Sequence, residues 1–364
     1  MKEEYLSSLY KNYTGHQPDK VEQLTGSGSN RQYFRLYGEK TLIGVYGESV
    51  EENKAFIYMD RHFKSHNIPV PEIYSVSDDN KAYLQEDLGN DLLFNLIEKG
   101  RVSGSFDENE RNLIRKTIAA LPSIQFKGAE NMDFSVCYPL SEFNKRSIMW
   151  DLNYFKYCFL KPMGTEFQEN HLEDDFESMA DLLLHASQLP AHCATFMYRD
   201  FQSRNVIIKD GEPYFIDFQG GRKGPVYYDV ASFLWQAKAN FPDDLRNEMI
   251  DVYINEADKF IHKTTDKSIK TDRTAFNRNL KHFVFFRTLQ VLGAYGFRGL
   301  FERKKHFIES IPFAISNLRV LLENEDDFRE YKHLYQVLKD MTENFSENMI
   351  EKYNNNSSLK ISLA

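Results

Sequence analysis

The stretch of residues 198–217 constrains the fold more than any other part of this 364-residue chain. Two short, β-rich apolar runs within it flank an Asp-Gly dipeptide, which is typical of tight hairpin turns. The hairpin returns Asp217 to the end at which Asn205 begins it, and Asp200 lies five residues before Asn205. Two carboxylates and one amide oxygen are therefore predicted to converge at one end of a hairpin.

This set of side chains suits proton acceptance and the binding of a hard cation. Mg²⁺ prefers oxygen ligands and takes only one or two protein carboxylates, so that phosphate and water complete its shell. The order Arg-Asp, then Asn205, then Asp217 after the next strand matches the catalytic loop of protein kinases. That match predicts Asp200 as the catalytic proton acceptor and Asn205 with Asp217 as the magnesium ligands. Tyr198 stands where the kinase motif has histidine.

The residues that follow the loop narrow the resemblance. Ile-Asp-Phe-Gln at 216–219 is followed closely by Tyr-Asp-Val-Ala-Ser at 228–232, in place of a long activation loop. The chain in this respect resembles the aminoglycoside phosphotransferase and choline kinase-like family over roughly residues 20–320. Within it, the chain is similar to the bacterial N-acetylmuramate/N-acetylglucosamine anomeric kinases.

The resemblance implies an α+β fold of the protein-kinase type with two lobes. A chain of 364 residues also exceeds the usual size of a single core. We predict an N-lobe with an antiparallel β-sheet at residues 1–87, a mainly helical C-lobe at 88–352 and a linker-like tail at 353–364. The first hypothesis for function is an ATP- and Mg²⁺-dependent kinase acting on a small hydroxylated acceptor, with the anomeric hydroxyl of an amino sugar preferred. Choline, homoserine or an aminoglycoside as acceptor, and a nucleotide-binding pseudokinase that regulates a partner, stay open as alternatives.

Composition and charge argue against several other classes of protein. The net charge of -9 and the lack of a long basic stretch argue against nucleic acid as a partner. The acidic N-terminus has no apolar signal core, and no apolar run approaches the ~20 residues that cross a bilayer. The three cysteines show neither metal-ligand nor paired spacing. We expect a cytoplasmic protein without a membrane partner, and the oligomeric state is open.

A glycine-rich segment between two predicted strands is the first candidate for nucleotide binding. Glycine lets the backbone turn sharply and approach a phosphate, and successive N–H groups form an anion nest. Such a segment is also common in ordinary turns, but its place ahead of the catalytic loop favours phosphate. The residues assigned to it are Gly26, Ser27, Gly28, Ser29 and Asn30.

The lysine that the third strand of a protein kinase supplies to the phosphates is missing here. Because phosphoryl transfer depends on positioning and charge stabilisation, another cation must take its place. Arg31 and Arg35 are the nearest candidates. The alternative is that both arginines are solvated surface residues. Glu52 of the following helix is predicted to pair with this cation, and Glu51 is the second choice. The alternative is that the glutamate only interacts with the dipole at the N-terminus of the helix.

Other assignments follow from the resemblance. The backbone of Glu86 and Leu88 is expected to meet an adenine edge at the hinge, and Gln202 and Arg204 of the catalytic loop are expected to contact the acceptor. Asp229 is expected to brace the catalytic loop or to cap a helix. Asp107, with a glutamate three residues later, predicts a helix start through a capping box.

The C-terminal half offers two weaker signals for the acceptor site. Arg287 and Arg298 fall on one stripe of a long helical stretch and suit an acceptor with hydroxyls or a carboxylate. The alternative is that both pair with nearby carboxylates on a solvated face. Residues 128–175 are rich in aromatics, which predicts either buried core or part of the acceptor pocket.

Overall fold

The computed structural model describes residues 2–24, 31–186, 195–261, 271–324 and 326–346. The chain divides into two compact units. The first comprises the described residues of Met1–Glu142, Leu189–Asp229 and Pro242–Thr271, and the second those of Phe143–Gln188, Val230–Phe241 and Asp272–Ala364. The predicted division near residue 87 stays a prediction, and the predicted tail at 353–364 lies outside the described residues.

Five strands and two helices make up the chain to residue 86 in the described ranges, and helices predominate after it. The first group is α1 (Lys2–Thr14), β1 (Lys20–Leu24), β2 (Gln32–Tyr37), β3 (Leu42–Tyr46), α2 (Val50–Ser65), β4 (Ile73–Val76) and β5 (Ala82–Glu86). The second group begins with α3 (Leu93–Leu96), α4 (Glu98–Ser103), α5 (Glu108–Phe126), α6 (Lys145–Phe155), α7 (Glu169–Ala186), β6 (Phe196–Met197), β7 (Val206–Lys209) and β8 (Glu212–Phe215). It ends with β9 (Arg222–Lys223), α8 (Val226–Leu234), α9 (Asp243–Ile261), α10 (Arg273–Tyr295), α11 (Lys305–Ile308), α12 (Ile311–Asn324) and α13 (Lys332–Asn344). The predicted α+β class, with an antiparallel sheet followed by helices, is confirmed.

The first unit is built on a five-stranded antiparallel sheet with the order β1-β2-β3-β5-β4. One face of this sheet is covered by α1, whose Leu6 and Tyr10 join Phe34 and Leu36 in a buried apolar cluster. Gly44 of β3 fits there because a Cβ at this position would lie 2.7 Å from a methyl carbon of Leu36. The sheet thus fixes β2 and β3, and with them the residues that directly precede β2 and follow β3.

Helix α2 is fixed at its start to the turn between β4 and β5. Ser49 caps the helix by accepting a hydrogen bond from the Glu52 N–H. The buried Asn53 side chain donates to the carbonyl oxygens of Gly47 and Asn80, each at 2.9 Å. Glu52, the neighbour of Asn53, is thereby held at a defined place.

Two further antiparallel pairs, β6–β9 and the β7–β8 hairpin, complete the strands of the first unit. The hairpin pairs Val206 with Phe215, as the Asp-Gly turn predicted. The capping box at Asp107 is present, with both of its reciprocal hydrogen bonds. Helices α5 and α9 pack together, and Arg111 of α5 forms ion pairs with Asp244 and Glu248 of α9.

The second unit is helical in its described residues. Both α6 and α10 continue into wider, π-helical turns, at Lys156–Leu160 and Gly296–Phe301. These two helices approach so closely that a Cβ on Gly296 would lie 2.0 Å from the Cys158 carbonyl oxygen. Among the aromatics predicted over residues 128–175, Phe143, Phe155 and Phe159 are buried in the core. Trp150 and Tyr157 differ, because about half of each side chain is exposed at 51% and 50%. None of the helices in the described ranges is long and apolar enough to span a membrane.

Candidate active site

The catalytic loop is anchored from beneath by a buried carboxylate. Asp229 accepts hydrogen bonds from the backbone N–H groups of Tyr198 at 2.9 Å and Arg199 at 2.8 Å. Gln125 of α5 donates to the same carboxylate at 2.9 Å. Burial raises the pKa of Asp229 to about 7, and the three donors act in the opposite direction. The predicted bracing role of Asp229 is confirmed. Sequence reasoning missed Gln125, a buried polar residue among the mainly apolar residues of the α5 face.

Two hydrogen bonds join the catalytic loop to the end of the hairpin. The buried Tyr198 hydroxyl donates to the Ile216 carbonyl oxygen, and the Ile216 N–H donates to the Asn205 carbonyl oxygen at 3.0 Å. Tyrosine in place of the kinase histidine therefore ties the loop to the residue that precedes Asp217. The predicted convergence of the loop and the strand end is present within the first unit.

Asn205 is oriented by its own loop. Its Nδ2 donates to the Asp200 carbonyl oxygen at 2.8 Å, and its backbone N–H donates to the Gln202 carbonyl oxygen at 2.8 Å. Because an amide has one donating and one accepting end, this bond assigns the nitrogen and leaves Oδ1 as the acceptor for a cation. Asp200 itself is half-buried at the start of the same loop.

Asp217 has a strained backbone. Its φ of 67° lies in the left-handed region, which is uncommon for residues other than glycine and clusters at functional sites. Its Oδ1 accepts hydrogen bonds from Arg31 Nη2 at 3.1 Å and from Gln219 Nε2 at 2.9 Å. The side chain keeps 34% of its surface exposed, so a ligand can reach this carboxylate.

Arg31, which directly precedes β2, contacts Asp217. Its guanidinium is almost wholly buried, with Nη2 on Asp217, Nε 3.6 Å from Glu52 Oε1 and Nη1 donating to the Tyr83 hydroxyl at 3.3 Å. It also lies 5.4 Å from the centre of the Phe56 ring. A cation between two carboxylates is thus present where the third strand lacks its lysine, and it contacts Glu52, as predicted, in preference to Glu51.

Arg35 serves a different part of the same unit. It forms an ion pair with Asp87 at 2.7 Å, and its Nη2 donates to the Gly89 carbonyl oxygen at 3.3 Å and to Asn90 Oδ1 at 2.9 Å. Both arginines are buried, so the alternative that they are solvated surface residues is wrong. Arg35 stabilises the hinge segment, whereas Arg31 contacts the predicted metal ligand.

At the hinge, the backbone of Glu86 is partly engaged. Its N–H donates to the Glu72 carbonyl oxygen at 2.8 Å, and its carboxylate pairs with Lys209 at 2.6 Å. Leu88 is buried two residues later. Glu86 therefore has no free N–H for an adenine. The predicted phosphate-contacting residues Gly26, Ser27, Gly28, Ser29 and Asn30 lie outside the described residues, between the antiparallel strands β1 and β2.

The residues predicted to contact the acceptor are placed unequally. Gln202 is half-buried in the catalytic loop, and the Arg204 guanidinium lies 3.7 Å from the centre of the Phe94 ring of α3, within the first unit. Arg287 belongs to the second unit, where it is buried and its Nε donates to Ser232 Oγ at 3.2 Å. Arg298 of the same unit contacts both oxygens of Glu302, at 2.7 and 2.8 Å. Their acceptor roles stay predictions.

The chain is similar to known phosphotransferases and kinases. The family model APH, described as the phosphotransferase enzyme family, matches residues 143–262. An N-acetylmuramate/N-acetylglucosamine kinase of Neisseria meningitidis serogroup B is 25% identical over 62% of this chain and 64% of that protein. A protein of the same name from Pseudomonas putida is 21% identical over 93% of this chain and 94% of that protein.

Solved structures show the fold. A choline kinase from Cryptosporidium parvum Iowa II superposes with a TM-score of 0.60 at 12% identity, over 93% of this chain and 100% of that chain. The ADP-bound aminoglycoside phosphotransferase APH(2'')-Ib gives a TM-score of 0.54 at 13% identity, over 86% of this chain and 96% of that chain. The predicted protein-kinase-like fold is thereby confirmed. The comparisons also confirm the resemblance to the aminoglycoside phosphotransferase family, and with it the prediction of a phosphotransferase with a hydroxyl group as acceptor.

Proposed function

We propose that this protein is an ATP-dependent kinase that transfers the γ-phosphate to the anomeric hydroxyl of an amino sugar of the N-acetylmuramate/N-acetylglucosamine type. The observation that carries the proposal is the contact of buried Arg31 with both Glu52 and Asp217, beside a catalytic loop that is bonded to the same strand end. A regulatory scaffold has no need for a buried cation aimed at an exposed carboxylate. The printed names of the curated relatives support the amino sugar.

The donor set of the site fits Mg²⁺. Asn205 offers an amide oxygen because its nitrogen is bonded to the loop, and Asp217 offers an exposed carboxylate. No group of three or more His, Cys, Asp or Glu side chains suited to a metal occurs in the described ranges. Mg²⁺ held largely by phosphate and water requires no such group. When bound, the ion neutralises charge on the nucleotide phosphates.

The other residues of the site are assigned to charge stabilisation or to proton transfer. Arg31 supplies the fixed cation for the phosphates, and Glu52 holds it in place. Asp200 orients the acceptor hydroxyl and takes its proton. An anomeric hydroxyl is more acidic than an ordinary alcohol, so an ionised aspartate is an adequate acceptor for it.

Nucleotide binding in this proposal uses the segment from Gly26 to Asn30 for the phosphates, and the carbonyl of Glu86 with the N–H of Leu88 for the adenine. ATP as the donor agrees with the ADP-bound phosphotransferase of the same fold. A cytoplasmic location belongs to the same proposal, because ATP is available there.

The test is an ATP-consumption assay with N-acetylmuramate, N-acetylglucosamine, glucose, choline, homoserine and an aminoglycoside. Phosphorus NMR of the product identifies the position that is phosphorylated. We expect a sugar 1-phosphate from at least one of the N-acetylated sugars. Consumption of choline, homoserine or the aminoglycoside alone would contradict the amino-sugar assignment and leave a small-molecule kinase. No ATP turnover with any acceptor, together with tight ATP binding, would favour a pseudokinase.

A further inference from the structure

Tyr83 of β5 lies on the face of the sheet that α1 does not cover. Its strand neighbours Ala82 and Leu84 belong to the apolar cluster that packs against α1, and successive side chains of a strand point to opposite faces. The fully buried Tyr83 ring instead stacks on Phe56 of α2, with the ring centres 5.3 Å apart and the planes inclined by 22°. Tyr83 thus faces α2, the helix that carries Glu52.

The hydroxyl of Tyr83 is a polar group within this core. Burial raises the pKa of Tyr83 above its ordinary value, and the charge of Arg31 acts in the opposite direction, so the hydroxyl is neutral. Its oxygen accepts a hydrogen bond from Arg31 Nη1 at 3.3 Å. Phenylalanine would keep the stack on Phe56 and bury no hydroxyl, so packing alone does not explain a tyrosine at this position.

Each of the three nitrogen atoms of the Arg31 guanidinium has a partner on a different segment of the first unit. Nε lies 3.6 Å from Glu52 of α2, Nη2 contacts Asp217 after the hairpin at 3.1 Å, and Nη1 contacts Tyr83 of β5. Two partners define an axis about which a planar group can still turn, whereas a third partner fixes the plane. Glu52 and Asp217 keep 26% and 34% of their side-chain surfaces exposed, so solvent and ligands reach both. Of the three partners, Tyr83 is the one without exposed surface.

We propose that Tyr83 is a positioning residue for phosphoryl transfer, whose hydroxyl holds the Arg31 guanidinium in the plane in which it contacts the nucleotide phosphates. This role rests on the proposed function, because Arg31 must be the cation that contacts the phosphates. A guanidinium binds phosphate oxygens as a planar fork, so its orientation matters where that of an ammonium does not. Glu52 and Asp217 offer Arg31 negative charge, and Tyr83 adds orientation without charge.

The first measurement compares Tyr83→Phe with the wild type by titration calorimetry of the full chain. The titrants are a non-hydrolysable ATP analogue with Mg²⁺ and, as a ligand without phosphate, adenosine. Tyr83→Phe should weaken the analogue about tenfold, the value of one hydrogen bond to a charged group, and should leave adenosine unchanged. Equal affinities of variant and wild type for the analogue would contradict the positioning role. An equal loss for both ligands would also contradict it, since it would indicate a general disturbance of the first unit.

A double-mutant cycle with Arg31→Lys separates orientation from general support of the fold. The lysine ammonium is a point charge without a plane to fix, so in this background Tyr83→Phe should change the affinity for the analogue by no more than about twofold. In the wild-type background the same change should cost about tenfold. An equal loss in both backgrounds would show that the hydroxyl acts independently of the guanidinium, and Tyr83 would then have no positioning role.

Tyr10→Phe is the matched control. Tyr10 is also a fully buried tyrosine of the first unit, but it packs against the opposite face of the sheet and donates its hydroxyl proton to the Lys40 carbonyl oxygen at 2.7 Å. Tyr10→Phe should lower the thermal midpoint at least as much as Tyr83→Phe does and should leave both affinities unchanged. A selective loss of affinity for the analogue in Tyr10→Phe would assign the effect to any buried hydroxyl of the sheet and overturn the proposal.

The wild-type measurement separates this role from the proposed function. A wild type that binds no nucleotide would contradict the proposed function and the role of Tyr83 together, whereas normal binding by both wild type and Tyr83→Phe would contradict the role of Tyr83 alone. The identity of the acceptor does not enter, because no acceptor is present. If circular dichroism shows that Tyr83→Phe is unfolded, a crystal structure of the wild type with the analogue decides. Nη1 of Arg31 bonded to the hydroxyl beside a phosphate would support the role, and Nη1 beyond hydrogen-bond distance would overturn it.

Discussion

The catalytic loop and the π-helical turns that follow α10 both carry polar residues that the sequence assigns to function, but their partners differ in distance along the chain. Asp217 is contacted by Arg31, 186 residues away, and Asp229 reaches back 31 residues to the Tyr198 N–H. Beyond α10, Arg298 pairs with Glu302 only four residues away. Local pairs of that kind form on any helix surface, whereas distant partners meet only if the fold brings them together. Arg287 of α10 has a distant partner as well, Ser232, so the contrast separates Arg298 from the catalytic loop and does not extend to the whole second unit.

The largest effect on ATP turnover is expected from Asp217→Ala. Loss of a charged ligand in an exposed position should lower ATP turnover by at least about 1,000-fold, and the fold should persist. Asn205→Ala should cost less, since a neutral ligand is lost. Steady-state kinetics and the thermal midpoint measure the two effects, with Asp210→Asn in the hairpin turn as the matched control. Equal turnover by wild type and Asp217→Ala would show that Asp217 is not a metal ligand.

Next in size is the pair Arg31→Ala and Arg35→Ala. Arg31→Ala removes the cation between Glu52 and Asp217, and we expect kcat/KM for ATP to fall about 100-fold. Arg31→Lys should restore part of it, because the charge returns without the planar fork. Arg35→Ala should act mainly on the thermal midpoint, through the lost contacts to the hinge. A larger kinetic effect of Arg35→Ala than of Arg31→Ala would reverse our assignment of the two arginines.

Tyr198→Phe tests whether the loop depends on its bond to the hairpin. The change leaves the part-buried Ile216 carbonyl oxygen without its donor and should lower the free energy of unfolding by about 1–3 kcal/mol. Turnover should fall as well, because Asp217 follows that carbonyl. Denaturant unfolding and kinetics measure both, and Tyr157→Phe, which affects a half-exposed hydroxyl, is the control. An unchanged stability of Tyr198→Phe would remove the tyrosine from the support of the loop.

The smallest effect is expected from Arg298→Ala. If Arg298 binds the carboxylate of N-acetylmuramate, it must first release Glu302, so the net loss of affinity should stay below about tenfold and be absent for N-acetylglucosamine. Glu302→Gln is the matched variant, since it frees the guanidinium and should improve N-acetylmuramate selectively. KM values for both sugars measure this. A selective loss of several hundredfold in Arg298→Ala would break the contrast between the two regions.

The sequence predicted the elements whose signals are local. The Asp-Gly turn predicted the hairpin, and the order of Asp200, Asn205 and Asp217 predicted that the catalytic loop and the hairpin end converge, as the structure shows. The capping box from Asp107 to Glu110 likewise involves four consecutive positions. In each case the deciding interaction lies within one loop or one helix turn.

Tertiary structure alone decided between Arg31 and Arg35. The two residues are four apart, so the alternation of a strand places both on the same face and cannot separate them. The two arginines differ in their position along β2 and are separated by about 13 Å at ~3.3 Å per residue. The end near Arg31 adjoins the start of α2, and the end near Arg35 adjoins the hinge. Gln125 has no local signal either, because its partners Asp229 and Tyr253 come from segments more than 100 residues away. Pairings of this kind depend on how strands and helices pack, and that information is not contained in any short stretch of the chain.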